Sequence, residues 1–375
     1  MRQFWRFHKD TVYLNHGTVG VTPIPVLETQ IALRNEIEAA PGPYFANHHH
    51  PRLRQAANRV AQWLGANEKD SLVFVDNATT GINAVLNSLT FAPDDEILVT
   101  SNTYGAVRNA ARFTARSIGA HVVSAELPFP LISPQQALDV VEQTITSKTR
   151  LAILDHIVSE TAQLMPIRAL IEACHAHGVP ILVDGAHAPG QTPINLSVIN
   201  ADWYAGNLHK WAFAPRGCGF LWKNPSSLQD IHHPVISWGL DKGYIASFDW
   251  VGTRDPTPWL CAPIALDFIE AIGFNRLLAY NHTLTRTGAE FLARTWKTDI
   301  VTAPEMSASM IVVPLPHPQT MTQEEAEAMR LHLWQTHHLE VPIVLHKNKP
   351  WVRLSTQVYN SLEDFQKLAD CLKML

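Results

Sequence analysis

The sequence lacks several features that would fix its class at a glance. No stretch of about 18 uncharged apolar residues is present, the length a membrane helix needs. No charge of one sign dominates: 29 Lys+Arg against 34 Asp+Glu leave a net charge of −5, so there is no basic face for nucleic acid or an anionic membrane. Cysteines are few. Cys174, Cys218, Cys261 and Cys371 lie far apart without a CxxC spacing, which argues against a disulfide framework and against a thiolate zinc site. The opening, MRQFWRFHKD, has no apolar run followed by a small-residue cleavage site. Internal repeats and low-complexity tracts are missing too. These absences make a soluble, cytoplasmic protein the expectation, with neither nucleic acid nor membrane as partner.

What is present is a rhythm. Short runs rich in Val, Ile and Leu, bounded by Asp, Asn or Ser, occur at residues 71–77, 95–101, 120–127, 150–158 and 179–187. Between them, residues 78–89, 105–119, 133–145 and 166–178 carry apolar residues at three- and four-residue spacing, and two of these segments stop at a glycine. Strand and helix in alternation predict a mainly parallel sheet covered by helices on both faces, with ligands outside the carboxyl ends of the strands. The 375 residues are enough for two domains. Residues 21–255 form the expected large α/β domain. Residues 256–375 form a smaller α+β domain with ASMIVVPL, HLEVPIVL and WVRLST as strands, joined by the N-terminal segment 1–20.

The ends of these strands carry the chemistry. DNATTG places Asn77, Thr79 and Thr80 at a helix opening, where free N–H groups and the helix dipole favour a phosphate, although Asn and Thr are also ordinary caps. VDGAH places Asp184 on the same rim, with His187 three residues on; alone, such an aspartate is often a turn residue. NLHKWAFAPRG sets Lys210 among apolar and aromatic neighbours. There it either snorkels, or is held partly neutral as a nucleophile toward carbonyls. An anion-binding helix start, a rim aspartate and an apolar-set lysine together are the three parts that a pyridoxal phosphate site needs.

NATTGINAVLNSL, VDGAHAPGQ, NLHKWAFAPRGCGFLW, WVGTRDPTPW and VRLSTQVYNSLEDF, in this order, resemble the class V aminotransferase family of fold type I pyridoxal phosphate enzymes. Within that family the chain is most similar to the isopenicillin N epimerase-like branch, which also includes carbon–sulfur lyases. The resemblance runs from YLNHGTVG to the C-terminus and implies the α/β fold of the aspartate aminotransferase-like transferases. It further implies that Lys210 forms the Schiff base and shuttles the α-proton, that Asp184 pairs with the pyridine nitrogen, and that His187 contacts the ring's phenolic oxygen. Ala78, Thr79, Thr80, Asn207 and His209 would hold the phosphate, with Asn207 standing where many relatives have serine. Tyr104 would stack on the ring face opposite the lysine. Thr253 would reach the neighbouring subunit's phosphate site, so a homodimer is expected; Arg254 beside it reads as structural.

The same resemblance makes Arg353 the residue that grips the α-carboxylate of an amino-acid substrate, a task that suits a planar fork of donors. Reprotonation from the opposite face, as epimerisation demands, would draw on Asn15, His16 or the 44–50 loop. The His48–His50 run invites a metal reading, but three adjacent side chains point apart and no acid is spaced to help, so no metal is expected. PGPYFANHHHPRLR reads instead as a loop lining the substrate pocket. Cysteine desulfurases hold a persulfide on a loop cysteine ahead of the substrate-binding arginine, and LEVPIVLHKNKPWVRLS has none. Epimerase or carbon–sulfur lyase is therefore the leading expectation, a class V aminotransferase or a cysteine desulfurase-like enzyme the alternative, and a catalytically silent binding module the non-enzyme alternative.

Overall fold

The computed structural model describes residues 1–316, 320–346 and 348–373. Counting from the two-residue β1 (Val12–Tyr13), the main sheet uses β2 (Leu72–Val75), β3 (Glu96–Thr100), β4 (His121–Ala125), β5 (Thr149–Asp155), β6 (Ile181–Gly185), β7 (Trp203–Asn207) and β8 (Gly219–Lys223). Their order across the sheet is β2-β8-β7-β6-β5-β3-β4. Only β8 runs against the rest: it pairs antiparallel with both β2 and β7, while every other pair is parallel.

Because successive side chains of a strand point to opposite faces, each buried strand feeds two cores. Leu72 and Phe74 of β2 join one cluster, with Leu53, Val60, Leu170 and Ile171 from the helices that cover that face. Val73 and Val75 join the other, with Ile82 and Val85 of helix Ala78–Ser88 and Val107 and Ala111 of helix Gly105–Ile118. The expected doubly covered, mainly parallel sheet is thus what the chain builds.

Two of its strands escaped the sequence pattern. WYAGN and GFLWK contain no Val/Ile run, and each carries a glycine for a packing reason. A Cβ on Gly206 would overlap the Phe220 ring, and one on Gly219 would overlap the backbone of Asn77.

A second, antiparallel sheet has the order β11 (Ile343–His346), β12 (Lys349–Ser355), β9 (Met310–Pro314). The expected strand over HLEVPIVL is broken at Pro342, which has no N–H for a ladder. Its first half, β10 (Leu339–Glu340), pairs in parallel with β1 and ties in the N-terminal segment. Helices Phe274–Trp296 and Leu362–Lys373 pack on this unit through Leu292, Trp296, Phe365 and Leu368.

The segment expected to be a pocket-lining loop is helical instead. Pro41–Pro43 opens it, Tyr44–His48 forms a π-helical turn, and His49–Trp63 continues as α-helix. Pro41 and Pro43 stand in a first helical turn, where proline is tolerated, and Pro51 is the third residue of helix His49–Trp63, again within a first turn. Within it His49 is buried while His50 pairs with Asp249 at 3.0 Å, so the three imidazoles do not converge. Among the described residues no single helix is long and apolar enough to cross a membrane.

Candidate active site

The carboxyl ends of β2, β3, β5, β6 and β7 enclose a cavity of about 220 Å³ bordered by Thr18, Ala78, Thr79, Tyr104, Asp155, Ser159, Asp184, His187, Asn207 and Lys210. One wall is a helix start. Asn77 caps helix Ala78–Ser88 by accepting from the Thr80 N–H at 3.0 Å, and the Ala78 N–H donates to Asn207 Oδ1 at 2.8 Å. With those two N–H groups satisfied, the N–H and hydroxyl of Thr79 remain on the wall at the positive end of the helix. The Thr80 hydroxyl turns back to Asn77 Oδ1 at 3.3 Å. His209 turns away too, its Nδ1 donating to the Cys218 carbonyl at 2.9 Å, and burial lowers its imidazole to about 4.

The floor is ionisable. Asp184 is buried, accepts the Ala186 N–H at 2.9 Å, and has its pKa raised by desolvation, with that N–H and Lys210 opposing the rise. Lys210 follows β7 in the connection to β8. Burial lowers its ammonium from 10.5 to about 8, with Asp184 pulling it up and Arg353 pushing it down. Its Nζ lies 3.2 Å from His187 Nε2, which is also 3.3 Å from Ser159 Oγ. The Trp211 indole N–H donates to His187 Nδ1 at 3.5 Å, which leaves the ring proton on Nε2, toward the lysine. Burial, Lys210 and Arg353 all depress the imidazole's pKa, so it stays neutral. A neutral amine at Lys210 accepts that proton's hydrogen bond. The apolar setting read from the sequence is thus a chemical one and not a snorkelling surface lysine.

The N-terminal segment holds the lysine connection in place from outside. At Gly20 a Cβ would overlap the backbone carbonyls of His209 and Lys210, so only glycine allows this approach.

Arg353 arrives from β12, buried to 6 % exposure. Its Nη1 donates to the Ser159 carbonyl at 2.6 Å, and its Nη2 donates to Asn15 Oδ1 at 3.4 Å and to the Thr18 hydroxyl. Nε is buried with no partner. Burial lowers the guanidinium to about 10, so it remains charged at neutral pH. Asn15 passes the connection on, donating through Nδ2 to Glu340 at 2.8 Å, and borders a neighbouring groove of about 600 Å³ that shares Thr18 with the first cavity. His16 is fully buried against Tyr359, with Nδ1 at 2.8 Å from its hydroxyl, and burial lowers it to about 3. It is a packed core imidazole.

The remaining expected residues lie at the cavity's edge or, for Thr253, which is expected to serve the neighbouring subunit, away from it. Tyr104 borders the cavity but is half exposed. Thr253 lies elsewhere, in a cavity of about 540 Å³ with Arg34, Pro41 and Phe45. Arg254 pairs with Asp76 and stacks over Trp259 at 4.3 Å. Conversely, Asp155, Thr18 and Ser159 belong to the cavity and were not singled out from the sequence. For Asp155 a signal existed: RLAILD ends a buried strand on an acid, as VPILVD does.

The cavity suits a planar, phosphorylated aldehyde with a basic ring nitrogen. A desolvated carboxylate can hold the nitrogen's proton, a lysine amine can reach the aldehyde, and a helix start can take the phosphate. Asp155 Oδ2 and Arg353 Nε, both buried without partners, await further ones. Fold and site together define a fold type I, pyridoxal phosphate-dependent enzyme.

The model of the family described as aminotransferase class-V matches residues 22–368. This chain belongs to that family. It is 30% identical over 401 residues to a probable chloroplastic L-cysteine desulfhydrase of Arabidopsis thaliana, covering 100% of this chain and 84% of the relative. It is 32% identical over 382 residues to an isopenicillin N epimerase of Amycolatopsis lactamdurans, covering 96% and 94%. In three dimensions it resembles a mutant of C-DES with glycine covalently linked to its pyridoxal phosphate cofactor, with a TM-score of 0.84, 22% identity, and coverage of 99% and 98%.

Proposed function

We propose that this protein is a carbon–sulfur lyase, removing a sulfur leaving group from the β-carbon of a cysteine-type amino acid, and that it works as a cytoplasmic homodimer. The observation that carries this reading is the single amine base: Lys210, lowered to about 8 and set 3.2 Å from a neutral His187. β-Elimination needs one base for the α-proton and an outlet for the thiolate, whereas epimerisation needs a second acid on the opposite face.

Bound pyridoxal phosphate supplies the carbonyl that captures the amino group and the electron sink that acidifies the α-carbon. The chain's residues then have distinct tasks. Asp184 would hold the proton on the ring nitrogen; Thr79 and the amide of Asn207 would hold the phosphate end, with Ala78, Thr80 and His209 buttressing them from behind. Arg353 orients the α-carboxylate, and Asn15 steadies Arg353. Lys210 would take the α-proton, neutral His187 would turn its Nε2 proton to the ring's phenolic oxygen, and Tyr104 would cover the ring. Thr253 completes the partner's cavity across the dimer. When the C–S bond breaks, its electron pair leaves with sulfur, and the released enamine hydrolyses to pyruvate and ammonia. A persulfide relay is not part of the scheme, since all four cysteines are buried.

Tyr104 favours one second reading. Its phenol is a proton source on the cavity wall, so an epimerase would use it as the opposite-face acid. Incubating the holoenzyme with L-cysteine, S-substituted cysteines and a panel of L- and D-amino acids in deuterated water separates the cases. Pyruvate with ammonia and a thiol or sulfide is the expected result. Deuterium at an inverted α-carbon without pyruvate would replace lyase by epimerase, and amino transfer to a keto acid would replace both by a transaminase. No turnover, with no borohydride-trapped cofactor on Lys210, would leave a silent binding module.

A further inference from the structure

Asp155 has no task in the scheme above, yet its position is as specific as that of Asp184. It is the last residue of β5, and the parallel register of β5 and β6 sets it directly beside Asp184. Registered residues of neighbouring parallel strands share a face and lie roughly 5 Å apart. Both carboxyl groups are buried, at 4 % and 3 % exposure, and both border the same cavity. Asp155 Oδ2 is buried with no hydrogen-bond partner.

The charged and polar groups around it come from four elements. Asp184 on β6 and Glu160 after β5 repel a negative charge on Asp155, and the Thr103 hydroxyl after β3 favours one. Lys210, after β7, exerts its pull on Asp184. Two carboxylates this close in a desolvated site do not both ionise; they titrate as a pair. Desolvation is the largest effect on each; the Thr103 hydroxyl and its own backbone N–H oppose the rise at Asp155, and the Ala186 N–H and Lys210 oppose it at Asp184, but only Asp155 has no cation among its supports and carries the repulsion of Asp184 and Glu160 as well.

We propose that Asp155 is a positioning residue: it is held as a neutral carboxylic acid beside Asp184, so the pair presents one negative charge to the cofactor's ring nitrogen and one free donor at Oδ2. The proton on Asp155 keeps Asp184 the only anion on the floor. Without that proton, a second charge would compete for the ring's proton and pull Lys210 back toward its ammonium form. The ligand in this proposal rests on the function proposed above; the protonation of Asp155 does not.

The test has two arms. In the apoprotein at neutral pH, infrared difference spectra in water and deuterium oxide should show a protonated-carboxyl stretch that Asp155→Asn removes, and Asp184→Asn, which relieves the repulsion, should move its loss to lower pH. Absence of the band from the wild type, or its survival in Asp155→Asn, overturns the proposal. The second arm is cofactor affinity, measured by titrating apoprotein with pyridoxal phosphate. Asparagine is neutral and keeps a donor, so Asp155→Asn should bind within about threefold of wild type, whereas Asp155→Ala, which loses the donor, should bind about tenfold more weakly. If Asn weakens binding as much as Ala does, or if Ala changes nothing, the positioning role fails. Should wild type take up no pyridoxal phosphate and give no borohydride adduct at Lys210, the proposed function falls, while the infrared arm still decides the state of Asp155.

Discussion

The lysine's depressed pKa can be tested as a number. An amine that titrates at about 8 instead of 10.5 is roughly one-tenth neutral at about pH 7, and that fraction is about 300-fold larger than for an unburied lysine. The rate at which apoprotein captures an aldehyde should rise with pH, reach half its maximum near 8 and level off above it. Pyridoxal is the useful probe, because it lacks the titrating phosphate of the natural cofactor; capture is followed by absorbance and fixed by borohydride. Two variants give the physical cause by sign. Asp184 stabilises the ammonium, so Asp184→Asn should move the midpoint down; Arg353 repels it, so Arg353→Leu should move it up. A rate that keeps climbing through the range of free lysine, near 10.4, would refute the burial argument, as would two variants that shift the same way.

Two further outcomes follow from geometry. Arg353→Lys keeps the charge but loses the fork that meets Ser159, Asn15 and Thr18, so kcat/KM for amino acids should fall about 100-fold in steady-state assays while the bound cofactor's absorbance is retained. Gly20→Ala puts a methyl group into the carbonyls of His209 and Lys210; unfolding monitored by circular dichroism should show a loss of about 1–3 kcal/mol, and dialysis should strip the cofactor faster.

Much of the fold was legible because β2 to β6 advertise themselves. Most are aliphatic runs bounded by polar residues, the mark of a strand buried on both faces, while β4 (HVVSA) is a partly exposed edge strand. β7 and β8 were illegible for the opposite reason: their residues were selected by contact, with Gly206 and Gly219 admitting Phe220 and Asn77 so closely that aliphatic periodicity is lost. In the site, Ala78, Thr79, Asp184 and His187 border one cavity. Arg353 does not border it, but donates to Ser159 and Thr18, which do. Asp155 was missed although RLAILD ends on an acid as VPILVD does; what sets it beside Asp184 is lateral register, which one sequence does not display. The helical run at 41–50 was misread because Pro and Gly weigh heavily as breakers, whereas at a helix start they are tolerated.

The reversed strand has a consequence for how the molecule comes into being. β2 is held in its sheet by β8 alone, about 150 residues further along the chain. Closing so distant a pair is slow, since the entropy of the intervening loop must be lost before any contact rewards it. The helix start behind Asn77 is therefore fixed in the sheet only once β8, the last main-sheet strand in the sequence, is in place. Completion of the crevice is thus one event, the docking of the strand that follows the lysine between β7 and β2.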